Sequence, residues 1–353
     1  MYYDKNGYID FKKLMEEDNN VYKFILGARG IGKTFGCLKF LVDNARKSGN
    51  KFVYMRRTQT QVDLIKTPEL NPFNALEYEL GSKYSFILKA INKNVMGIYD
   101  SVFNVDKNIY EPSSTPIGFI IALSTIANIR GIGGNDIDYI FYDEFVGELH
   151  EKPIKSEGLA FLNALETIGR NRELKNIEPL KLICASNSVN LGNPIFIELK
   201  FITTIEKAIK NNIDFINLKE RLTSIYIIKN NPISLKKKDT ALYKLSGTGA
   251  FTDMALDNEF TKENFDMVKS RKINDFKLIC TVGEIAIYKH RSANEWYITD
   301  FVNGKTNNQY NSSDIDIKRW RNDYYYLQLA YLNRHIYFES YIHQVIFEKY
   351  SKV

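Results

Sequence analysis

Eight consecutive residues, Gly27-Ala28-Arg29-Gly30-Ile31-Gly32-Lys33-Thr34, fit the pattern GxxxxGK[ST]. The residue types have a chemical reason. Glycines let backbone N–H groups curl around phosphate oxygens, and a helix that starts at the end of the loop adds its positive terminus. Lys33 then reaches the β- and γ-phosphates of ATP, and Thr34 ligates Mg2+. Arg29 inside the loop either faces a neighbouring group or is solvated. Farther along, residues 137–142 (IDYIFY) run into Asp143-Glu144. A mostly apolar strand that ends in two carboxylates needs a counter-charge, because unpaired buried charge is costly. Mg2+ supplies one: Asp143 holds the metal, and Glu144 orients and deprotonates the attacking water. Neighbouring strand residues point to opposite faces, so this pair works only where the strand stops, at Phe145-Val146-Gly147. The bland alternatives are a glycine-rich turn with no ligand and an ordinary acidic turn. The two motifs in one chain argue against both.

Other polar groups fall at suggestive places. Residues 180–185 (LKLICA) read as a strand beside the metal strand, ending in Ser186-Asn187. Asn187 at that tip either senses the γ-phosphate or forms a turn. Arg170-Asn171-Arg172-Glu173 closes a helical segment. Such arginines are either surface residues suited to the helix dipole or, in a ring, a charge inserted into the neighbour's site. Arg170 is the first choice for that role and Arg172 the second. Arg56-Arg57 follow a strand and are solvated in a monomer, or touch a neighbour or nucleotide in a ring. Residues 130–134 (RGIGG) form either a coupling or DNA-facing loop or a plain turn. A water-activating Glu144 separates the chain from small nucleotide kinases and points to hydrolysis, hence a motor or switch.

The elements that must position these groups follow from pattern. Residues 21–26 (VYKFIL) are a strand, 35–47 a helix, 51–55 (KFVYM) a second strand, and 119–123 and 137–142 further strands. Strand, glycine-rich turn, helix, strand opens a parallel α/β sheet. Residues 158–173 have helical spacing. The expected division is an ATPase domain over 1–200, a small linker or lid over 201–250, and a third part over 251–353. In the last part KLICTV, EIAIYKH and EWYITDF form an antiparallel meander, followed by a helix near 323–333, a strand at 335–340 and a helix at 341–350.

Bulk properties agree with a globular chain. Of 353 residues, 44% are hydrophobic and 25% charged, which excludes a disordered composition. The net charge is +6, and from residue 201 onward 23 Lys+Arg face 18 Asp+Glu. That mild excess suits a polyanion or a solvated lysine-rich surface equally. Cys37, Cys184 and Cys280 lie far apart among apolar residues and read as reduced buried thiols. The first twenty residues lack a signal-peptide pattern, and no stretch approaches 18 uninterrupted apolar residues, so no membrane span is expected.

GARGIGKT after an apolar strand, YMRR, FYDEF, GRNRE and CASN together resemble the DNA-packaging ATPase of φ29-type phages, with ALDNEF (255–260) and WYITD weaker echoes. The resemblance implies an additional-strand (RecA-like) P-loop ATPase domain, a linker and a C-terminal RNase H-like α+β domain derived from terminase nucleases. It assigns ATP phosphate binding to Gly27, Gly32, Lys33 and Thr34, with Arg29 and Gly30 in the same loop. It places metal and water on Asp143 and Glu144 and the arginine finger on Arg170. It implies a homopentameric ring at the portal vertex of the procapsid, working in the host cytoplasm. Its partners are double-stranded DNA, portal and procapsid, with a structural packaging RNA as a further partner whose need stays open. An RNase H-like nuclease carries a metal-binding Asp on its first strand. KLICTV has none, and Glu284, Asp300, Asp314 and Asp316 form no evident set, so a vestigial nuclease is expected. A large terminase with a working nuclease, a monomeric P-loop switch or kinase, and a purely nucleic-acid-binding protein with a dead P-loop are the alternatives.

Overall fold

The computed structural model describes residues 2–129, 134–147, 151, 154–187, 191–229, 231–247, 252 and 265–352. Contacts divide the chain into two units, Met1–Leu199 with Ala208–Glu259, and Lys200–Lys207 with Phe260–Val353.

The first unit is built on β1 (Tyr22–Gly27), β2 (Lys51–Arg56), β3 (Phe86–Asn92), β4 (Val95–Asn104), β5 (Ile109–Pro112), β6 (Gly118–Ala122), β7 (Ile137–Asp143), β8 (Lys181–Ser186), β9 (Phe215–Leu218) and β10 (Thr223–Ile228). They form one ten-stranded sheet in the order β3-β4-β6-β2-β7-β8-β1-β10-β9, with β5 paired to β4. The run from β6 to β10 is parallel. Parallel strands are covered on both faces and so read as continuous apolar stretches, as FVYM, YIFY and LICA do here. β8 lies between the strand that leads to the phosphate loop and the strand that ends in Asp143. It is the additional strand of the expected fold. The helix Lys33–Ser48 buries Cys37, Leu38, Leu41, Val42 and Ala45. It stops at Gly49, whose φ of 76° lets its N–H cap the Ala45 carbonyl.

The segment expected as a linker, 201–250, behaves differently over its middle. β9 and β10 extend the first sheet, and β10 pairs with all six residues of β1. Every residue of β10 is buried. Its polar flanks, NLKER before and KNN after, hide this from a reading by composition.

The second unit is α+β. β11 (Phe276–Val282), β12 (Ile285–His290) and β13 (Trp296–Thr299) form the expected meander, extended by β14 (Gln309–Tyr310) beside β11 and β15 (Ile336–Phe338) beside β13, both parallel. Along β11, Phe276, Leu278, Cys280 and Val282 are buried while Lys277 is exposed, the alternation a half-covered sheet requires. Helices Asp314–Asp323, Tyr326–Leu332 and Tyr341–Ser351 complete it.

Candidate active site

The phosphate loop starts where β1 stops. A side chain at Gly27 would meet Ile31 and Ile228 at 2.7 and 3.0 Å, so the loop can leave the sheet only from a glycine. Gly30 and Gly32 take φ of 75° and 85°, the left-handed region that bulkier residues avoid. Gly32 is also the N-cap of the helix Lys33–Ser48 and offers no side-chain cap, so the first N–H groups of that helix remain available for an anion. Lys33 is buried, its Nζ donating to the carbonyls of Gly27 at 2.7 Å and Ala28 at 2.6 Å. Burial pushes its ammonium down to about 7, against the pull of Asp143 and Glu144. Arg29 is exposed, and its carbonyl accepts from Lys237 Nζ at 2.9 Å.

Asp143 is the hub of the site. Its Oδ2 accepts from Thr34 Oγ1 at 2.9 Å, Tyr54 Oη at 3.1 Å and Arg56 Nη1 at 3.3 Å. Burial raises the Asp143 carboxyl above its ordinary range, with Arg56 pulling the other way. Glu144 adopts φ 51°, a left-handed turn for a non-glycine residue. That turn ends β7 and brings both carboxylates to one edge, where Arg56 Nη2 pairs with Glu144. Glu144 is otherwise open to solvent, with 45% of its side chain exposed. Thr34 and Asp143 form an all-oxygen donor pair, which suits Mg2+. Arg56 Nε is buried with no hydrogen-bond partner among the described residues, a spare donor at the same place.

Register settles where Asn187 lies. Ser186 is level with Leu26 of β1, and Ala185 with Asp143 of β7. Asn187 therefore sits on the strand-end edge between the phosphate loop and the Asp143-Glu144 turn.

The arginines separate. Arg170 is exposed at the C-cap of the helix Glu157–Gly169, with Nε donating to the Thr167 carbonyl at 3.1 Å. Arg172 is buried and spent inside its own unit. It donates to the carbonyls of Glu178 and Gly134 at 2.9 Å each and to that of Ile137, and to Asp138 Oδ1 at 3.2 Å. Gly134, Ile137 and Asp138 lie at the start of β7, Glu178 lies just before β8, and Gly169 is beside Leu180, also before β8. Arg170 thus occupies the edge of the sheet opposite its own phosphate loop, about 20 Å away along a seven-residue strand.

Arg56 and Arg57 are not solvated. Arg57 is buried, paired through Nε with Glu157 Oε1 at 2.7 Å and through Nη1 with Glu151. A strand end buried beside acidic residues overrides the exposure expected of an isolated Arg-Arg pair. Arg130 to Gly133 of the glycine-rich segment and ALDNEF (255–260) lie outside the described residues. Sequence reasoning missed Tyr54 and Arg56 as partners of Asp143. Their i, i+2 spacing on a strand adjacent to β7 puts them on one face, a signal readable only once the two strands are known to pair.

A phosphate loop after β1, a metal-type Asp on β7, an inserted β8 between them and a glutamate beside the Asp define an ATPase of the additional-strand P-loop class. The chain belongs to the Podovirus DNA encapsidation protein (Gp16) family, which it matches over residues 3–327. It is similar to the DNA packaging proteins of Bacillus phages PZA and phi29, each 22% identical over 364 residues that cover 99% of this chain and 99% of the relative. The DNA packaging protein of Bacillus phage B103 is 24% identical over 95% of this chain and 98% of its own. Among solved structures, the Phi-28 gp11 DNA packaging motor has a TM-score of 0.64 at 19% identity, covering 99% of both chains. The bacteriophage Phi-29 viral genome packaging motor assembly has 0.64 at 20%, covering 98% of this chain and 99% of that one. At such identities the structural likeness speaks for the fold.

Proposed function

We propose that this chain is the motor subunit that hydrolyses ATP to drive double-stranded DNA into a viral procapsid. The observation that carries the chemistry is the 2.9 Å contact of Thr34 with Asp143, beside Glu144 and the buried Lys33. Family membership over nearly the whole chain carries the task.

The division of labour follows from the side chains. The loop N–H groups and Lys33 bind the β- and γ-phosphates of the substrate, and nucleotide entry exchanges the Gly27 and Ala28 carbonyls on Lys33 for phosphate oxygens. Thr34 and Asp143 would hold Mg2+, which neutralises charge developing on the phosphoryl oxygens when bound. Glu144 takes the proton of the attacking water once it leaves Arg56. Asn187 lies where a γ-phosphate is sensed, at the tip of the strand shared by both halves of the site. Arg170 cannot reach its own site and serves a neighbour's, which requires a closed, head-to-tail ring; a pentamer is the reading we adopt. Portal, procapsid and a packaging RNA are the partners of that ring, and it assembles transiently at the portal vertex in the host cytoplasm. No helix among the described residues is long and apolar enough to cross a membrane. For the second unit we propose polyanion binding without nuclease activity.

The test is protection of DNA from added nuclease in a mixture of this protein, procapsids, DNA and ATP. Protection is expected with the intact chain and lost with Lys33→Ala. Protection that persists in Lys33→Ala, or a chain that hydrolyses ATP without ever protecting DNA, overturns the motor reading.

A further inference from the structure

Two carboxylates and one histidine converge in the second unit. Asp300 follows β13, Glu339 follows β15, and His343 is in the first turn of the helix Tyr341–Ser351. The parallel pairing of β13 with β15, continued by Glu339 N–H donating to the Ile298 carbonyl at 3.0 Å, brings both strand ends to one edge. Ligands of open α/β sheets gather at such carboxyl ends. One donor atom from each of the three residues lies within 4.8 Å of the others.

The histidine is built into place. It is only 6% exposed. Its Nδ1 is bonded to Ser340 Oγ at 3.0 Å, which fixes the ring and leaves Nε2 directed at Asp300 Oδ1, 3.7 Å away and too far for a hydrogen bond. A ring nitrogen held by an outer partner, with the other aimed at carboxylates, is how metal-ligating histidines are set. Glu339 is held in turn by the Thr299 hydroxyl. Burial lowers the His343 pKa, opposed by Asp300, Glu339 and Glu206. Among the described residues no lysine or arginine pairs with Asp300 or Glu339. Two carboxylates, Asp300 and Glu339, thus face one imidazole. Donor atoms of one shell lie no more than about 4.2 Å apart at metal–ligand bonds of ~2.1 Å. Asp300, with 74% of its side chain exposed, is free to make that small closure.

We propose that Asp300, Glu339 and His343 bind one divalent ion of the Mn2+ or Zn2+ class. Two carboxylate oxygens and an imidazole nitrogen suit these ions better than Mg2+ or Ca2+, which prefer oxygen alone. Three protein ligands leave positions facing solvent, open to water or a phosphate oxygen. A single ion is half of what a two-metal nuclease needs, so the site is compatible with binding and not with cleavage by that route.

The experiment titrates Mn2+ into the nucleotide-free full chain and reads the free ion by electron paramagnetic resonance, with Zn2+ as competitor. One site per chain is expected, retained in Thr34→Ala and displaced by Zn2+. Asp300→Asn should weaken binding at least tenfold, and Ser340→Ala by about 10-fold through loss of the ring's orientation. Both side chains are at the surface or at a helix cap, and metal-free melting curves matching the intact chain establish that the variants fold. Failure of the intact chain to bind either ion, or equal binding by Asp300→Asn, overturns the proposal.

Discussion

Replacing Arg170 by alanine tests the ring. The residue is exposed and makes one hydrogen bond, to the Thr167 carbonyl, so its removal should change stability by no more than about 0.5 kcal/mol. Its distance from its own phosphate loop, about 20 Å along β7, is beyond the reach of one side chain. Any effect on turnover must then come from the adjacent subunit. A positive charge inserted into a phosphoryl-transfer site is worth ~10³–10⁵ in rate, or about 4–7 kcal/mol of barrier. Phosphate release by Arg170→Ala should match the isolated intact chain and lack stimulation by procapsids and DNA, with ATP affinity unchanged. Mixing Arg170→Ala and Glu144→Gln subunits sharpens the test. In a head-to-tail ring formed at random from equal amounts, roughly a quarter of interfaces join an intact Glu144 to an intact Arg170. Activity should return to about that fraction. A mixture as inactive as its components, in rings shown by native mass spectrometry to be mixed, refutes action in trans.

Other consequences are more local. Arg172→Ala removes the donor shared by two buried carbonyls, the Glu178 carbonyl and Asp138, and should cost about 3–5 kcal/mol in a denaturant melt; an unchanged midpoint would return Arg172 to the list of fingers. Glu144→Gln should bind ATP with Mg2+ as the intact chain does while hydrolysing ~10²–10⁴ times more slowly, measured by single-turnover phosphate release. Arg56→Met leaves the buried Asp143 without its cation, so metal-free stability should fall by about 3–5 kcal/mol and recover in part with Mg2+ and ADP, read by thermal melting.

Much of the site was legible because its chemistry is local. The loop from Gly27 to Thr34 and the Asp143-Glu144 pair are each contiguous, and each sits at a strand end marked by an apolar run. The helix Lys33–Ser48 and strands β1, β2, β7 and β8 were evident from the same runs. What escaped depends on pairing between distant segments. Arg56 looks like a surface charge until β2 is set beside β7, and Arg172 looks like Arg170 until the start of β7 supplies its carbonyls. β10 was hidden by polar flanks, although its six residues are all buried. Glu339 and His343 drew no attention because the partner that gives them meaning, Asp300, lies some forty residues away on a neighbouring strand.

The position of β1 has a consequence for synthesis. Its two sheet neighbours, β8 and β10, lie roughly 160 and 200 residues downstream. At ribosomal rates of ~5–20 residues per second, about 10–40 s pass between emergence of the phosphate loop and completion of the sheet around it. During that interval an apolar strand with both edges unpaired is exposed in the nascent chain, ready to pair wrongly with another copy. Chaperone demand and low expression temperature should therefore matter more for yield than the stability of the finished fold, and amber fragments ending before residue 223 should accumulate as insoluble protein.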